Sequence, residues 1–307
     1  MLKTENIRIR DPYIVEKDGE YYMYSSTNDG QGGDSFPKDK LQMIVYKSYD
    51  LENWSEPKAV FTYAPSKHSR LVTELWAPEV HLYEGRYYAL MSFKNNTGKR
   101  GTYIAVSDKP DGEFTLLSET PQTPEECSCI DGTLYVEDGT PYIVYSLDWP
   151  HHFVESECAY VGEIWARELS PNLSRGVGEP FRLFSSNEAP ISRKTPHVLE
   201  YMGNTVTRYG SDAPFLTRLS DGTLLFTWSP YLQDNYVVLG AVAEQGKIRS
   251  PYRHLDTPVF DGNGGHAMFF READGSLKMC IHCPEREGDE RMLAIPINET
   301  ELIDKCC

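Results

Sequence analysis

A strand, a glycine turn and a second strand recur five times along the 307 residues, and this repetition restricts the fold more than any other feature. The first copy, residues 11–27 (DPYIVEKDGEYYMYSST), reads as an apolar run, a turn at Lys17-Asp18-Gly19, and a second run with alternating aromatics. It returns at residues 77–93, 131–147, 212–229 and 266–283, with head residues Asp11, Ala77, Asp131, Asp212 and His266 spaced 66, 54, 81 and 54 apart. The head precedes the turn glycine by eight positions in the first three copies, but by ten and nine in the last two. An insertion near those turns must absorb the difference. A third strand-like run follows each hairpin, at residues 42–48, 102–107, 162–168, 236–242 and 292–297, and a fourth is predicted at 60–62 and 181–184. Repeats of roughly 50 residues built of several short strands are the signature of radially arranged blades. The sequence therefore predicts an all-β, five-bladed β-propeller. The copies tile the chain from Asp11 to about Ile297, so residues 1–307 are expected to form a single domain.

Charge narrows the partners. With 46 acidic against 30 basic residues the net charge is −16, which excludes nucleic acid and anionic membrane surfaces as expected partners. No apolar run reaches transmembrane length. Read as a native start, MLKTENIRIR lacks the apolar centre of a signal peptide, which predicts a cytoplasmic protein. The seven cysteines agree, being odd in number and without a disulfide framework. Cys280 and Cys283 are spaced like half a zinc knuckle, but no second pair matches them.

In a propeller the innermost strands line the central channel, so their heads converge on one mouth. Three of the five heads, Asp11, Asp131 and Asp212, are carboxylates. One aspartate can be explained as a turn cap; three at one place in a repeat cannot, because converging acids repel and raise each other's pKa. Carboxylates with separated pKa values are the equipment of glycoside hydrolysis, one protonating the leaving oxygen and another activating water. Trp76, one residue before the second head, offers an apolar face to a sugar ring or serves as ordinary core. Arg208 is placed to bind a hydroxyl or to pair with Asp131. Trp149, with His151 and His152, and the loop 28–40 are rim candidates; the histidine pair lacks an acidic third ligand for a metal.

Taken in order, Arg10-Asp11-Pro12, Trp76-Ala77-Pro78-Glu79, Ile130-Asp131-Gly132, Asp212-Ala213-Pro214-Phe215 and Gly264-Gly265-His266 resemble glycoside hydrolase family 43. The resemblance implies a five-bladed propeller that hydrolyses arabinose- and xylose-containing glycans with inversion. It implies Asp11 as general base and Asp131 as the carboxylate that tunes the acid and holds the sugar. His266 matches a channel histidine near a bound calcium or its waters, so a structural Ca2+ in the channel is the one cofactor implied; none is required. The sequence departs from the family at the general acid, which is usually the Glu of Glu-Gly-Pro or Glu-Ala-Pro. Position in the repeat favours Asp212, one methylene shorter. Side-chain identity favours Glu188, in a literal Glu188-Ala189-Pro190 that no hairpin follows. Both stay candidates.

The expected partner is an oligosaccharide. Exo action as an α-L-arabinofuranosidase or β-xylosidase is favoured, since no second domain follows the fifth unit and the enzyme is expected inside the cell. An endo-1,5-α-L-arabinanase and a catalytically inactive carbohydrate-binding propeller are the alternatives. The fructan-cleaving invertase group also uses Arg-Asp-Pro, but in a middle blade and after an Asp-Pro-Asn motif that has no counterpart here. A phosphorylase on this architecture would need a cationic phosphate site.

Overall fold

The computed structural model describes residues 1–27, 32, 36, 40–63 and 71–306, the side chains of 71 and 72 excepted. Apart from positions 32, 36 and 40, the rim candidate 28–40 lies outside the described residues.

The five repeated hairpins are all present. In the first three, two-residue turns (Asp18-Gly19, Glu84-Gly85, Asp138-Gly139) hold every central residue at positive φ, between 46° and 81°. That is the type I′ geometry that matches strand twist, and it is why glycine closes each turn. The fourth and fifth hairpins carry five-residue turns, 219–223 and 272–276. Each is closed by a 2.9 Å backbone bond across its ends, from Leu219 N–H to Thr223 and from Glu272 N–H to Ser276. The longer head-to-glycine spacing is absorbed there.

Each hairpin opens a sheet. The first blade runs outward from Tyr13–Lys17 through Glu20–Ser26 to Gln42–Ser48, with Asn53–Trp54 and Lys58–Thr62 both paired to the last. The second holds Leu71–Tyr83, Arg86–Asn95, Arg100–Ser107 and Thr115–Leu116, and the third Cys129–Glu137, Thr140–Leu147, Glu163–Leu169 and Gly176–Ser185. The fourth holds Asp212–Arg218, Leu224–Ser229, Leu239–Ala243 and Tyr252–His254. The fifth has three strands, Gly265–Arg271, Leu277–Cys283 and Arg291–Pro296, followed by the helix Glu299–Cys306.

The innermost strand of every blade touches that of the next, and the fifth touches the first, which closes a five-bladed propeller. Aromatic side chains fill the spaces between blades. Phe184 of the third blade lies 5.0 Å from both Phe226 and Trp228 of the fourth, and Phe61 of the first packs 6.0 Å from Phe93 of the second. Such ring pairs add about 0.5–1.5 kcal/mol each beyond the area they bury.

Two features were not legible in the repeat. The wide gap between the third and fourth heads holds an extra sheet of Phe153–Val154, Ala159–Val161, Asn204–Tyr209 and His197–Tyr201, which belongs to no blade. The second concerns closure. The N-terminal strand Leu2–Lys3 pairs with Asn53–Trp54 of its own blade, so among the described residues the first and fifth blades share no strand. Their seam is held instead by Ile9 N–H to the Glu290 carbonyl (3.0 Å), Arg8 on Glu290 (3.1 Å) and Arg10 on Glu285 (2.9 Å). Among the described residues no helix is long and apolar enough to cross a membrane.

Candidate active site

At each blade head one residue turns left-handed, Asp11, Ala77, Asp131, Ala213 and His266, with φ between 42° and 55°, and in the last four blades the inner strand bulges there. The bulges are seen directly in the register breaks at Trp76/Glu79, Ile130/Thr133, Asp212/Phe215 and Gly265/Met268. A bulge re-aims side chains and is common beside active sites. A left-handed residue other than glycine costs roughly 1–2 kcal/mol. Repeating that cost at five channel-facing positions is strain kept for a purpose.

This corrects the expected register of the fourth copy. Its left-handed head is Ala213, and Asp212 stands one residue earlier, level with Arg10, Trp76, Ile130 and Gly265. Counted from Ala213, the glycine at 222 is nine residues on, as in the fifth copy. Asp212 nevertheless enters the same space, since residues flanking a bulge on both sides reach the channel.

The heads enclose a cavity of about 280 Å³. Its wall is made of Arg10 and Asp11, Trp76 and Ala77, Ile130 and Asp131, then Asp212 and His266, with Ser26 and Tyr236 completing it. All three predicted aspartates thus face one cavity. A larger groove of about 660 Å³ lies at the outer seam beside Lys3, Glu52 and Arg291, but none of the five heads faces it.

The three carboxyls are held in different states. Burial opposes ionisation of Asp11, but the charge of His266 and the nearby His282 and Arg10 outweigh it and hold the carboxyl well below the usual range. His266 Nδ1 lies 3.0 Å and His282 Nδ1 3.2 Å from Asp11 Oδ1. Burial would lower His266, yet Asp11 outweighs it and raises the imidazole to about 9. Asp131 behaves oppositely. Burial, with Asp212 and Asp11 adding, pushes it to about 7, against the pull of His266 and of the Ala213 N–H that its Oδ2 accepts at 3.0 Å. Burial likewise raises Asp212, helped by Asp148 and opposed by Arg208, whose Nη2 lies 3.4 Å from Oδ2. One cavity therefore holds an ionised carboxylate facing two that favour their protons.

The other expected residues divide. Trp76 lines the cavity, its ring backed by the Arg100 guanidinium at 3.8 Å. Arg208 comes from the extra sheet, pairs with Asp212 rather than Asp131, and lies between Trp149 (4.5 Å) and Tyr231 (5.1 Å). Its Nε is buried without a hydrogen-bond partner. Trp149 is one shell out, packed on Tyr160 and Tyr201. Glu188 is not brought to the cavity. It ends the turn Ser186–Glu188 after the outermost strand of the third blade, 43 % exposed and 2.6 Å from Arg182. The helix Pro190–Lys194 follows it, so no bulged inner strand carries it inward.

The implied calcium beside His266 would have to take most of its ligands from water. Calcium takes six to eight oxygens, whereas among the described residues no three His, Cys, Asp or Glu side chains are grouped to hold a metal.

Tyr236, His282 and Glu285 were missed. His282 Nε2 lies 2.6 Å from Glu285, which also takes Arg10 at 2.9 Å and the Tyr231 hydroxyl. Burial opposes the ionised form of Glu285, but the His282 bond and Arg10 win and lower it to about 2. A signal was present: Ser26, Ser92, Ser146 and Ser229 stand at or near the end of the second strand in four copies, and His282 stands alone in the fifth.

Residues 5–301 match the model of glycosyl hydrolases family 43, and the chain belongs to that family. It is similar to the crystal structure of an endo-arabinase from Bacteroides thetaiotaomicron VPI-5482, with 33 % identity, 97 % of this chain and 96 % of that one covered, and a TM-score of 0.82. Xylosidase/arabinosidase 43A of Humicola insolens is 28 % identical over 152 residues, 47 % of this chain and 45 % of that protein. The extracellular endo-alpha-(1->5)-L-arabinanase 1 of Bacillus subtilis (strain 168) is 26 % identical over 157 residues, 48 % and 45 % respectively. The chain thus matches a little under half the length of these two curated relatives.

Proposed function

We propose, starting from that family membership, that the protein is an inverting glycoside hydrolase that removes a terminal arabinofuranosyl or xylosyl unit from a short oligosaccharide. The observation that carries this is the division of charge in the cavity, with Asp11 ionised and Asp131 and Asp212 favouring protons. In the proposed reaction Asp11 takes a proton from water as the water oxygen bonds to the anomeric carbon. The bond from that carbon to the leaving oxygen breaks on the opposite face, and Asp212 gives its proton to that oxygen. Such a mechanism asks for an acid and a base roughly 6.5–9.5 Å apart, which heads of non-adjacent blades can provide. Burial and the neighbouring Asp148 keep Asp212 protonated, and Asp131, which accepts the Ala213 amide beside it, is the carboxyl that holds the sugar. Arg208 holds one oxygen of Asp212.

Removal of one terminal unit is supported by the cavity. At about 280 Å³ it falls just below the roughly 300–1,000 Å³ of typical ligand pockets. The similarity to a protein named an endo-arabinase favours a second reading, internal cleavage of arabinan. Arabinan, xylo-oligosaccharides, an aryl arabinofuranoside and an aryl xyloside form the test panel, with products followed by chromatography and anomeric configuration by NMR. Free pentose from the first time points supports the exo reading, and a ladder of oligosaccharides the endo one. Binding without turnover across the panel would leave a carbohydrate-binding propeller, and dependence on phosphate a phosphorylase.

A further inference from the structure

One position recurs in all five blades. At or near its end the second strand carries Ser26, Ser92, Ser146, Ser229 or His282, and in the last four the register places it opposite the residue just before the bulge. At two joints the serine has a visible task. Ser92 Oγ accepts the N–H of Asp131, and Ser229 Oγ that of His266, both at 2.9 Å, so each blade satisfies the amide of the next blade's strained head. At the joint from the fifth blade to the first, His282 takes over, its Nδ1 accepting the Asp11 N–H at 3.3 Å.

That acceptor role fixes the tautomer. Nδ1 must be bare, so the ring hydrogen sits on Nε2, which donates to Glu285 at 2.6 Å. Glu285 also accepts from Arg10 Nη2 at 2.9 Å. Since Arg10 and Asp11 are adjacent, the contacts form a closed circuit from the Asp11 main chain through His282, Glu285 and Arg10 back to Asp11. A serine would reach the amide alone; an imidazole reaches through its ring to a second anchor. The difference falls at the one joint between chain ends, which shares no strand among the described residues. His282 itself is fully buried and stacks on Tyr236, a cavity residue, with centroids 5.7 Å apart and planes 16° apart. The same Nδ1 lies 3.2 Å from Asp11 Oδ1, so the ring backs the carboxylate as well as the amide.

We propose that His282, locked as the neutral Nε2–H tautomer by Glu285, is the positioning residue for Asp11, fixing where the base presents its carboxylate to water. This rests on Asp11 being the base. The test compares His282→Ala, His282→Asn and His282→Gln, because the Asn oxygen can stand in for Nδ1 and the Gln amide for Nε2. His282→Ala should lower kcat about ten- to a hundred-fold, the scale of a 1 Å misplacement, with KM within about two-fold. His282→Asn should recover most of that loss and His282→Gln little. In the wild type, ¹⁵N imidazole shifts should show a bare Nδ1 and a protonated Nε2 for His282. Losses of kcat that merely track losses of Tm across the three variants would overturn the proposal, as would a protonated Nδ1. Asp11→Asn, run alongside, separates the two ideas. If it retains turnover, the base assignment fails; if it is inactive while His282→Ala is not slowed, positioning alone fails.

Discussion

Asp131→Asn should stabilise the protein at alkaline pH while damaging catalysis. Asp131 is 5 % exposed, and its carboxyl rises from 3.8 to about 7 on folding. A group whose folded pKa is raised binds its proton more tightly in the native state, so its contribution favours folding at low pH and is lost as pH rises. The loss begins near 3.8, the unfolded value, and is complete just above 7. Three units at 1.36 kcal/mol each set an upper bound of about 4 kcal/mol. Roughly two of those units lie above pH 5, so the stability difference between variant and wild type should grow by about 3 kcal/mol from pH 5 to pH 8. The asparagine oxygen can still accept the Ala213 N–H, which keeps the local geometry comparable. Urea titrations at the two pH values, with unchanged m-values, would measure it. A difference that stays flat with pH would mean that Asp131 is ionised throughout, and the division of charge across the cavity would fall. Stability gained by removing a strained active-site charge at the expense of turnover is the usual exchange at such sites.

Asp11→Asn should lower kcat by about 10²–10⁴-fold, the range of a lost general base, with circular dichroism and sugar affinity by calorimetry little changed; retained turnover would remove Asp11 from that role. Asp212→Ala should slow a natural disaccharide far more than an aryl glycoside with a good leaving group, because the acid matters most where the leaving oxygen is poor. Glu188→Ala, with its carboxylate outside the cavity on Arg182, should give a weak loss independent of leaving group. The opposite pattern in these two variants would exchange their assignments. In the pH profile, kcat/KM should fall as pH rises through about 7, where Asp131 gives up the proton with which it holds the sugar. Activity should persist well into the acid range, because Asp11 stays ionised below the usual carboxylate pKa; an acid limb at ordinary carboxylate values would contradict the Asp11–His266 pairing.

The blade count and the convergence of carboxylates were legible because they depend on local chemistry. Alternating aromatics and Asp-Gly or Glu-Gly turns define a hairpin within about 17 residues, and repetition of that unit leaves radial packing as the way to bury its faces. Once hairpins stack radially, their heads meet, so Asp11 and Asp131 could be placed from sequence. What the tertiary structure decided depends on contacts between distant residues. The left-handed turn falls on Ala213 and not Asp212 because of how the bulge registers against Ser229, and no local preference of Asp-Ala-Pro dictates that. Glu188, with the more familiar motif, is carried outward because a short helix and an extra sheet follow it instead of an inner hairpin. His282 and Glu285 lie more than 270 residues from Arg10 and Asp11 and meet them only when the ring closes. Short-range patterning sets how many blades there are; closure of the ring decides which side chains stand behind the base.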